Sequence, residues 1–234
     1  RGKIMNFYEL RITLNLKKDI HCDYITEKLS ILFNKSMVYN EYLKSIHEIN
    51  MYKLYVFEGL SPFEKDKVYK HGRYYMTRLR CLDKFIAEAF REALKQTKTN
   101  EFDILAVDID IVTPKFVKTL FNVTPAISII DNEPWTDKMD IELIKRNINK
   151  NLIKKIKAIQ GIGEFLEHDM IKNIKLKNRM PIGCKYKRIK LLGNKFEIQI
   201  KEDPISQLMA NVALAVGILE KNSLGYGYCL YKDN

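Results

Sequence analysis

Residues Val216 to Tyr228 read Val-Gly-Ile-Leu-Glu-Lys-Asn-Ser-Leu-Gly-Tyr-Gly-Tyr, and this stretch decides the fold that we expect. An apolar run with helical spacing precedes it, and a short aromatic strand pattern follows it. Glycines at such a junction allow positive φ angles and let the backbone approach a ligand closely. Unpaired main-chain N–H groups there suit phosphate oxygens, although a plain turn would show the same glycines. The candidate contacts of this glycine-rich loop are Gly217, Lys221, Asn222, Ser223, Gly225 and Gly227.

The composition favours a polyanionic partner. The 234 residues carry a formal net charge of +11, which is typical of proteins that bind nucleic acid or an anionic membrane. No apolar run reaches the ~18 residues of a spanning helix, so we expect no membrane partner. Four cysteines are scattered without a Cys-x-x-Cys pair, which fits a reducing cytosol. We therefore expect a cytoplasmic protein without a disulfide framework, a metal or a cofactor.

The first half of the chain predicts one β-α-β-β-α-β unit. Phe7 to Leu16 alternates between apolar and polar residues, as a half-buried strand does. Apolar residues from Tyr24 to Ile46 follow helical spacing without an internal Gly or Pro, which predicts one long helix. Asp83 is a candidate N-cap of a second helix. Further strands are expected at Tyr52–Phe57, Arg73–Arg80 and Phe102–Val112.

The second half predicts the same order of elements. Val123 to Ile130 is apolar and β-branched, and Asp137 is a candidate cap for the helix that follows. Two later stretches, Ile174 to Arg179 and Lys185 to Leu192, predict a basic hairpin. Asp203-Pro204 marks a helix start. We therefore predict an α+β protein of two tandem ferredoxin-like domains, residues 5–122 and residues 123–234, with Met5 as the natural start.

The basic residues concentrate in the predicted hairpin. Between Lys172 and Lys195 there are nine Lys or Arg residues and no Asp or Glu. Like charges on adjacent strands repel each other, and a phosphate backbone would relieve that repulsion. A solvated face is the alternative for a second run, which includes Lys154 and Lys155 on the preceding helix. The predicted RNA-binding residues of the first run are Lys172, Lys175, Lys177, Arg179, Lys185, Lys187, Arg188 and Lys190.

The glycine-rich loop, followed by a last strand, resembles the signature of the CRISPR-associated endoribonucleases that cut repeat RNA. They belong to the repeat-associated mysterious protein superfamily. Lys221 to Gly227 matches best, whereas Ile218 and Leu219 stand where that signature commonly has another glycine. The resemblance implies an enzyme that cleaves CRISPR repeat transcripts to guide RNAs without a metal, leaving a 2′,3′-cyclic phosphate. Its partner would be repeat RNA.

The resemblance also implies a catalytic histidine after the first helix, with a lysine nearby. His47 and Lys53 occupy those positions, and Tyr39 or Tyr42 would be the assisting tyrosine. Metal-free cleavage needs a base for the 2′-hydroxyl and an acid for the leaving 5′-oxygen, and histidine serves in either role. A cation such as Lys53 would stabilise the extra negative charge on the phosphorane.

Other readings of the sequence stay open. His71, flanked by Lys70 and Arg73, is a second candidate for the catalytic histidine. Asp108 and Asp110 share a strand face, but we interpret them as structural or exposed to solvent rather than as Mg²⁺ ligands. The alternative function is a non-catalytic RNA-binding subunit of a CRISPR effector complex. Either a monomer or a homodimer is compatible with the sequence.

Overall fold

The computed structural model describes residues 6–49, 52–160 and 167–233. The expected start at Met5 lies outside these residues. Within them the chain forms two sheet-and-helix units in sequence, each with a four-stranded antiparallel sheet in which the first strand is central. The prediction of two tandem ferredoxin-like units in an α+β protein is confirmed.

The elements of the first unit are β1 (Phe7–Leu16), β2 (Ile20–His21), α1 (Cys22–Ser36), a 3₁₀ turn (Met37–Tyr39), α2 (Glu41–Glu48), β3 (Tyr55–Phe57), β4 (Val68–Tyr69), β5 (Tyr74–Cys81), α3 (Lys84–Gln96) and β6 (Phe102–Val112). Its sheet has the order β3-β5-β1-β6. Alternating side chains of β1, among them Leu10, Ile12 and Leu14, are fully buried, as the sequence pattern predicts. Helices α1 and α3 pack together, and α3 lies against the sheet.

The predicted long helix from Tyr24 to Ile46 is wrong, because the structure divides it into α1 and α2. The Asn40 side chain accepts a hydrogen bond from the Leu43 N–H at 3.1 Å, so it caps α2 and ends the preceding turn. The predicted cap of α3 is confirmed, since Asp83 accepts from the Phe85 N–H at 2.7 Å.

The elements of the second unit are β7 (Thr119–Asn122), β8 (Ala126–Ile127), β9 (Ile129–Ile130), β10 (Glu133–Pro134), α4 (Ile141–Gln160), β11 (Ile171–Leu176), β12 (Ile182–Tyr186), β13 (Ile189–Asn194), β14 (Phe196–Ile200), α5 (Pro204–Val216), a 3₁₀ turn (Asn222–Leu224) and β15 (Cys229–Lys232). Its main sheet has the order β11-β14-β7-β15. A smaller sheet has the order β12-β13-β8.

Three local predictions for the second unit are wrong. The first strand of the unit, predicted at Val123–Ile130, is instead β7, which pairs in the main sheet, and the predicted segment holds only the short strands β8 and β9. We therefore propose that the units divide between β6 and β7 rather than at Asn122. Asp140, not Asp137, caps α4 by accepting from the Glu142 N–H at 3.0 Å. The segment predicted as the first hairpin strand, β11, pairs with β14 instead, because its apolar side chains complete the main sheet.

The buried Arg80 on β5 joins the two units. Its guanidinium donates to the Glu9 carboxylate of β1 at 2.6 Å and to the Cys229 carbonyl of β15 at 2.9 Å. It also lies 4.5 Å from the centre of the Tyr228 ring. The first sheet is therefore bound directly to the chain that leaves the glycine-rich loop.

No helix among the described residues combines the length and the apolar composition that crossing a membrane would require.

Candidate functional site

The glycine-rich loop is a compact turn whose glycines are buried. Gly217 ends α5 with φ of 77°, and Gly225 and Gly227 have φ of 90° and 72°. A Cβ on Gly225 would come within 2.5 Å of the Phe57 ring of β3. A Cβ on Gly227 would overlap the carbonyl oxygen of Ile218. All three glycines are thus required by the packing of the protein itself.

The exposed part of the loop is the short 3₁₀ turn and the residue before it. Lys221 is exposed and adopts a left-handed conformation with φ of 60°, and Asn222 and Ser223 are half-buried. The Asn222 amide nitrogen donates to the carbonyls of Ile218 and Tyr226 at 2.9 and 2.8 Å. Of the loop residues predicted to bind RNA, these three offer their side chains or backbone at the surface.

A buried lysine of α4 also holds the loop. The Lys155 ammonium group donates to the carbonyls of Gly217 and Leu219 at 2.8 and 3.2 Å, and to the Asn222 side-chain oxygen at 2.7 Å. The loop is therefore fastened to α4 as well as to the end of α5.

The sequence prediction missed the burial of Lys155, because it placed this residue in a basic run on an exposed helix face. One local signal could have shown it. Lys155 follows the core residues Ile148 and Leu152 at the spacing that puts side chains on one face of a helix. The apolar stripe of α4 therefore includes Lys155, which charge alone assigns to the surface.

The basic hairpin is formed by β12 and β13, with Lys187 and Arg188 at its turn. It lies against α1, where the Lys185 ammonium is 3.2 Å from the Tyr24 hydroxyl and 4.7 Å from the centre of its ring. The Lys187 N–H donates to the Glu27 carboxylate at 3.0 Å. The eight basic residues predicted to bind RNA are all exposed, on β11, on the segment after it and on the hairpin.

His47 lies in the last turn of α2 and is exposed. The prediction put it after a helix, but the chain continues helically through Glu48. Lys53 returns to this helix end, and its ammonium group donates to the carbonyls of His47 and Ile49 at 2.8 and 2.6 Å, and also to that of Ile46. Burial lowers the pKa of Lys53. The structure therefore gives Lys53 a role in capping the helix that carries His47.

Two cavities meet at Lys53. The larger, of about 770 Å³, lies between α2, α3 and the end of α4, and Tyr42 and Tyr52 line it. The smaller, of about 310 Å³, is lined by Tyr52 and Lys53 on one side and by Lys221, Ser223 and other loop residues on the opposite side. Lys53, which bonds to the end of the His47 helix, thus shares the small cavity with the glycine-rich loop, whereas His47 itself is not among the described residues that line either cavity.

The two candidate tyrosines differ in their surroundings. The Tyr42 hydroxyl donates to the Asp83 carboxylate at 3.1 Å, and burial, together with that carboxylate, raises the pKa of Tyr42. Tyr39 is exposed on the 3₁₀ turn before α2. Only Tyr42 of these two is among the described residues that line the larger cavity.

Potential metal ligands lie elsewhere. Among the described residues, His21, Cys22 and Asp23 bring ligand atoms within 4.8 Å of one another, but the His21 ring already accepts from the Asp23 N–H at the start of α1. The Asp110 carboxylate is 2.8 Å from the Arg11 guanidinium, in line with its interpretation as structural.

The second candidate histidine, His71, lies in an exposed turn of the first unit. Its backbone N–H donates to the Asp19 carboxylate at 2.7 Å. The residues that line the two cavities at Lys53 do not include it. His47 does not line them either, but it lies on the helix whose residues Tyr42 and Ile46 line the larger cavity.

Replacing Lys53 by methionine is expected to destabilise the end of α2. The variant loses a charged donor at three carbonyls, which we expect to lower the free energy of unfolding by about 1 kcal/mol. Denaturant unfolding measures this, with Lys44→Met, on the exposed face of the same helix, as the control. Equal stability of the two variants would contradict the capping role.

No family model and no curated protein matches this chain. Solved structures match over nearly its whole length. A structure described as "CRISPR associated protein Cas6" is 16% identical, with a TM-score of 0.69, over 97% of this chain and 100% of that one. "An RAMP protein binding different RNA substrates" is 15% identical, with a TM-score of 0.71, over 97% and 100%. A Cas6 product complex is 11% identical, with a TM-score of 0.66, over 98% and 100%.

These likenesses define the fold. The chain has the fold of the Cas6 and RAMP structures over 97 to 98% of its length, with the glycine-rich loop before the last described strand. The family resemblance seen in the sequence is therefore borne out at the level of the fold.

Proposed function

We propose that this protein is a metal-independent endoribonuclease that binds CRISPR repeat transcripts and cleaves them to guide RNAs. The 2′-hydroxyl would attack the adjacent phosphate, giving a 2′,3′-cyclic phosphate and a 5′-hydroxyl. The observation that carries the proposal is the small cavity lined by the exposed part of the glycine-rich loop and by Lys53, whose ammonium group bonds to the end of the His47 helix. The shared fold with Cas6 and RAMP structures supports the same conclusion.

In this proposal His47 exchanges a proton with the RNA as base or acid, and its exposed position leaves it accessible to a substrate. Lys53 contributes in two ways. It fixes the helix end through the carbonyls to which it donates, and its positive charge lies beside the cavity. Tyr42 is the better candidate for the assisting tyrosine, because it lines the cavity that adjoins Lys53. Tyr39 remains the alternative.

The eight exposed basic residues on and before the hairpin are proposed to contact the RNA backbone. Lys221, Asn222 and Ser223 would add contacts from the loop, and its three glycines would act by shaping it. A non-catalytic RNA-binding subunit of an effector complex is the alternative. Cleavage of a repeat transcript by the purified protein separates the two functions, because the binding subunit would retain RNA without cutting it.

The triple variant Lys185→Ala, Lys187→Ala, Arg188→Ala is expected to weaken repeat-RNA binding. Each lost phosphate contact should reduce the log–log slope of affinity against salt by roughly 0.7 to 0.9. A filter-binding titration at several salt concentrations measures both quantities. The control removes the same charge at three exposed lysines away from the hairpin, Lys35, Lys65 and Lys98. If both triple variants behave alike, the hairpin is not part of the interface.

A further inference from the structure

The buried lysine of α4 takes no part in the chemistry proposed above. The Lys155 side chain is 2% exposed, and its helix neighbours Leu152 and Ile156 belong to the core of the second unit. Fully buried lysines are rare unless they are paired. All three hydrogen-bond acceptors of the Lys155 ammonium group are neutral oxygens, and all three belong to the glycine-rich loop.

These hydrogen bonds connect the two halves of the loop from its buried side. The carbonyls of Gly217 and Leu219 lie in its first half, and the third acceptor is the side chain of Asn222. Asn222 in turn donates to Ile218 and Tyr226, one on each side of the exposed turn. A single ammonium group therefore fixes both halves of the loop through one chain of hydrogen bonds.

We propose that Lys155 is a positioning residue that holds the glycine-rich loop in the conformation that presents Lys221, Asn222 and Ser223 to RNA. The RNA part of this inference rests on the proposed function, whereas the positioning of the loop does not. Lys155 itself contacts no RNA in this account. It acts through Asn222 and through the backbone of the loop.

The positioning depends on the proton of Lys155. An ammonium group has three N–H donors for the three acceptors, whereas a neutral amine has only two. Burial lowers the pKa of Lys155 to about 7, so the third bond is present below pH 7 and is lost as the pH rises above it. The titratable groups that face Lys155 across the small cavity or from β15 are Tyr52, Lys53, Tyr55, Glu220, Lys221 and Cys229.

Two of these neighbours stay neutral through the relevant range. Burial raises the pKa of Cys229 to about 12, and burial also raises the pKa of Tyr55. Global stability responds to pH in the opposite direction from the loop. Between pH 7 and pH 9 the unfolded chain still protonates Lys155 while the folded chain does not, so the free energy of unfolding rises with pH. The effect on global stability follows from the burial of Lys155 alone, so only the order of the loop reports on a positioning role.

The first test compares Lys155→Met with Lys154→Met by hydrogen exchange at pH 6, without RNA. Lys154 is exposed on the same helix, so both variants lose one charge. We expect Lys155→Met to increase exchange of the Gly225 and Gly227 amides by about tenfold or more, with the Leu10 amide of β1 as the internal reference. Unchanged protection of both loop amides would overturn the proposal.

The second test measures affinity for repeat RNA from pH 6 to pH 8.5. We expect Lys155→Met to bind about tenfold more weakly than wild type at pH 6. This difference in RNA affinity should decrease as the pH rises, because wild-type Lys155 loses one of its three hydrogen bonds to the loop. A difference in affinity that stays constant from pH 6 to pH 8.5 would overturn the proposal that positioning depends on the Lys155 proton.

Should Lys155→Met not fold, wild type itself supplies the readout: exchange of the Gly225 and Gly227 amides, corrected for intrinsic rates, is compared between pH 6 and pH 8.5. Loss of loop protection at pH 8.5 without loss at the reference amide supports the proposal, and equal loop protection at the two pH values contradicts it. If wild type itself does not bind repeat RNA, the proposed function fails. The hydrogen-exchange comparison then still decides whether Lys155 positions the loop.

Discussion

Replacement of His47 by alanine is expected to lower the single-turnover rate of repeat-RNA cleavage by roughly 10²- to 10⁴-fold, the usual contribution of a general acid or base. RNA affinity should stay close to that of wild type, because the loss belongs to the transition state. Folding should also be preserved, since the side chain is exposed at the end of α2. Cleavage under enzyme excess and equilibrium RNA binding measure the two effects separately.

The matched control for this prediction is His71→Ala. His71 is also exposed, and it lies in a turn whose backbone N–H bonds to Asp19. We expect this variant to cleave at nearly the wild-type rate. Full activity in His47→Ala with a large loss in His71→Ala would transfer the catalytic role to His71. A large loss of RNA affinity in His47→Ala would instead indicate a binding residue.

The second large effect is expected at Gly227, where alanine should lower the free energy of unfolding by about 2 to 5 kcal/mol. A left-handed conformation costs a non-glycine residue about 1 to 2 kcal/mol, and overpacking adds about 1 to 3 kcal/mol. The overpacking arises because the new Cβ would overlap the carbonyl oxygen of Ile218. RNA cleavage should fall with the folded fraction. Denaturant unfolding and cleavage rates measure both.

Two other glycines serve as controls for the separate contributions. Gly72 has φ of 74° and open space around its Cβ position, so Gly72→Ala carries the conformational cost alone. Gly59 has the same open space without the positive φ, so Gly59→Ala should be close to neutral. The expected order of destabilisation is therefore Gly227, Gly72, Gly59. A Gly227→Ala protein of wild-type stability that loses only RNA affinity would mean that this glycine contacts RNA directly.

Local signals in the sequence predict much of the fold. The alternation in β1 and the caps at Asp83 and Asp203 depend on neighbouring residues alone, and the structure contains them as predicted. The order of elements then leads to the two ferredoxin-like units. Asn40 is a local signal that the prediction missed, because the apolar spacing continues across it from α1 into α2.

The sequence predicts the candidate site less well than the fold, because contacts between segments distant in the chain determine the geometry of the site. The partner of β11 is β14, and hairpin pairing between neighbouring segments was the simpler expectation. Lys155 and Arg80 look like surface charges in the sequence, yet each is buried and binds carbonyls far along the chain. Lys53 likewise donates to carbonyls at the end of α2, a contact that the spacing between His47 and Lys53 does not reveal.

The central claim is that the protein cleaves RNA through the 2′-hydroxyl without a metal. The most direct measurement incubates wild-type protein in excess EDTA with two repeat transcripts, one all-ribose and one with a single 2′-deoxy nucleotide at the cut site. We predict cleavage of the first to a 2′,3′-cyclic phosphate and no cleavage of the second. A requirement for Mg²⁺, or cutting of the 2′-deoxy transcript, would contradict the account.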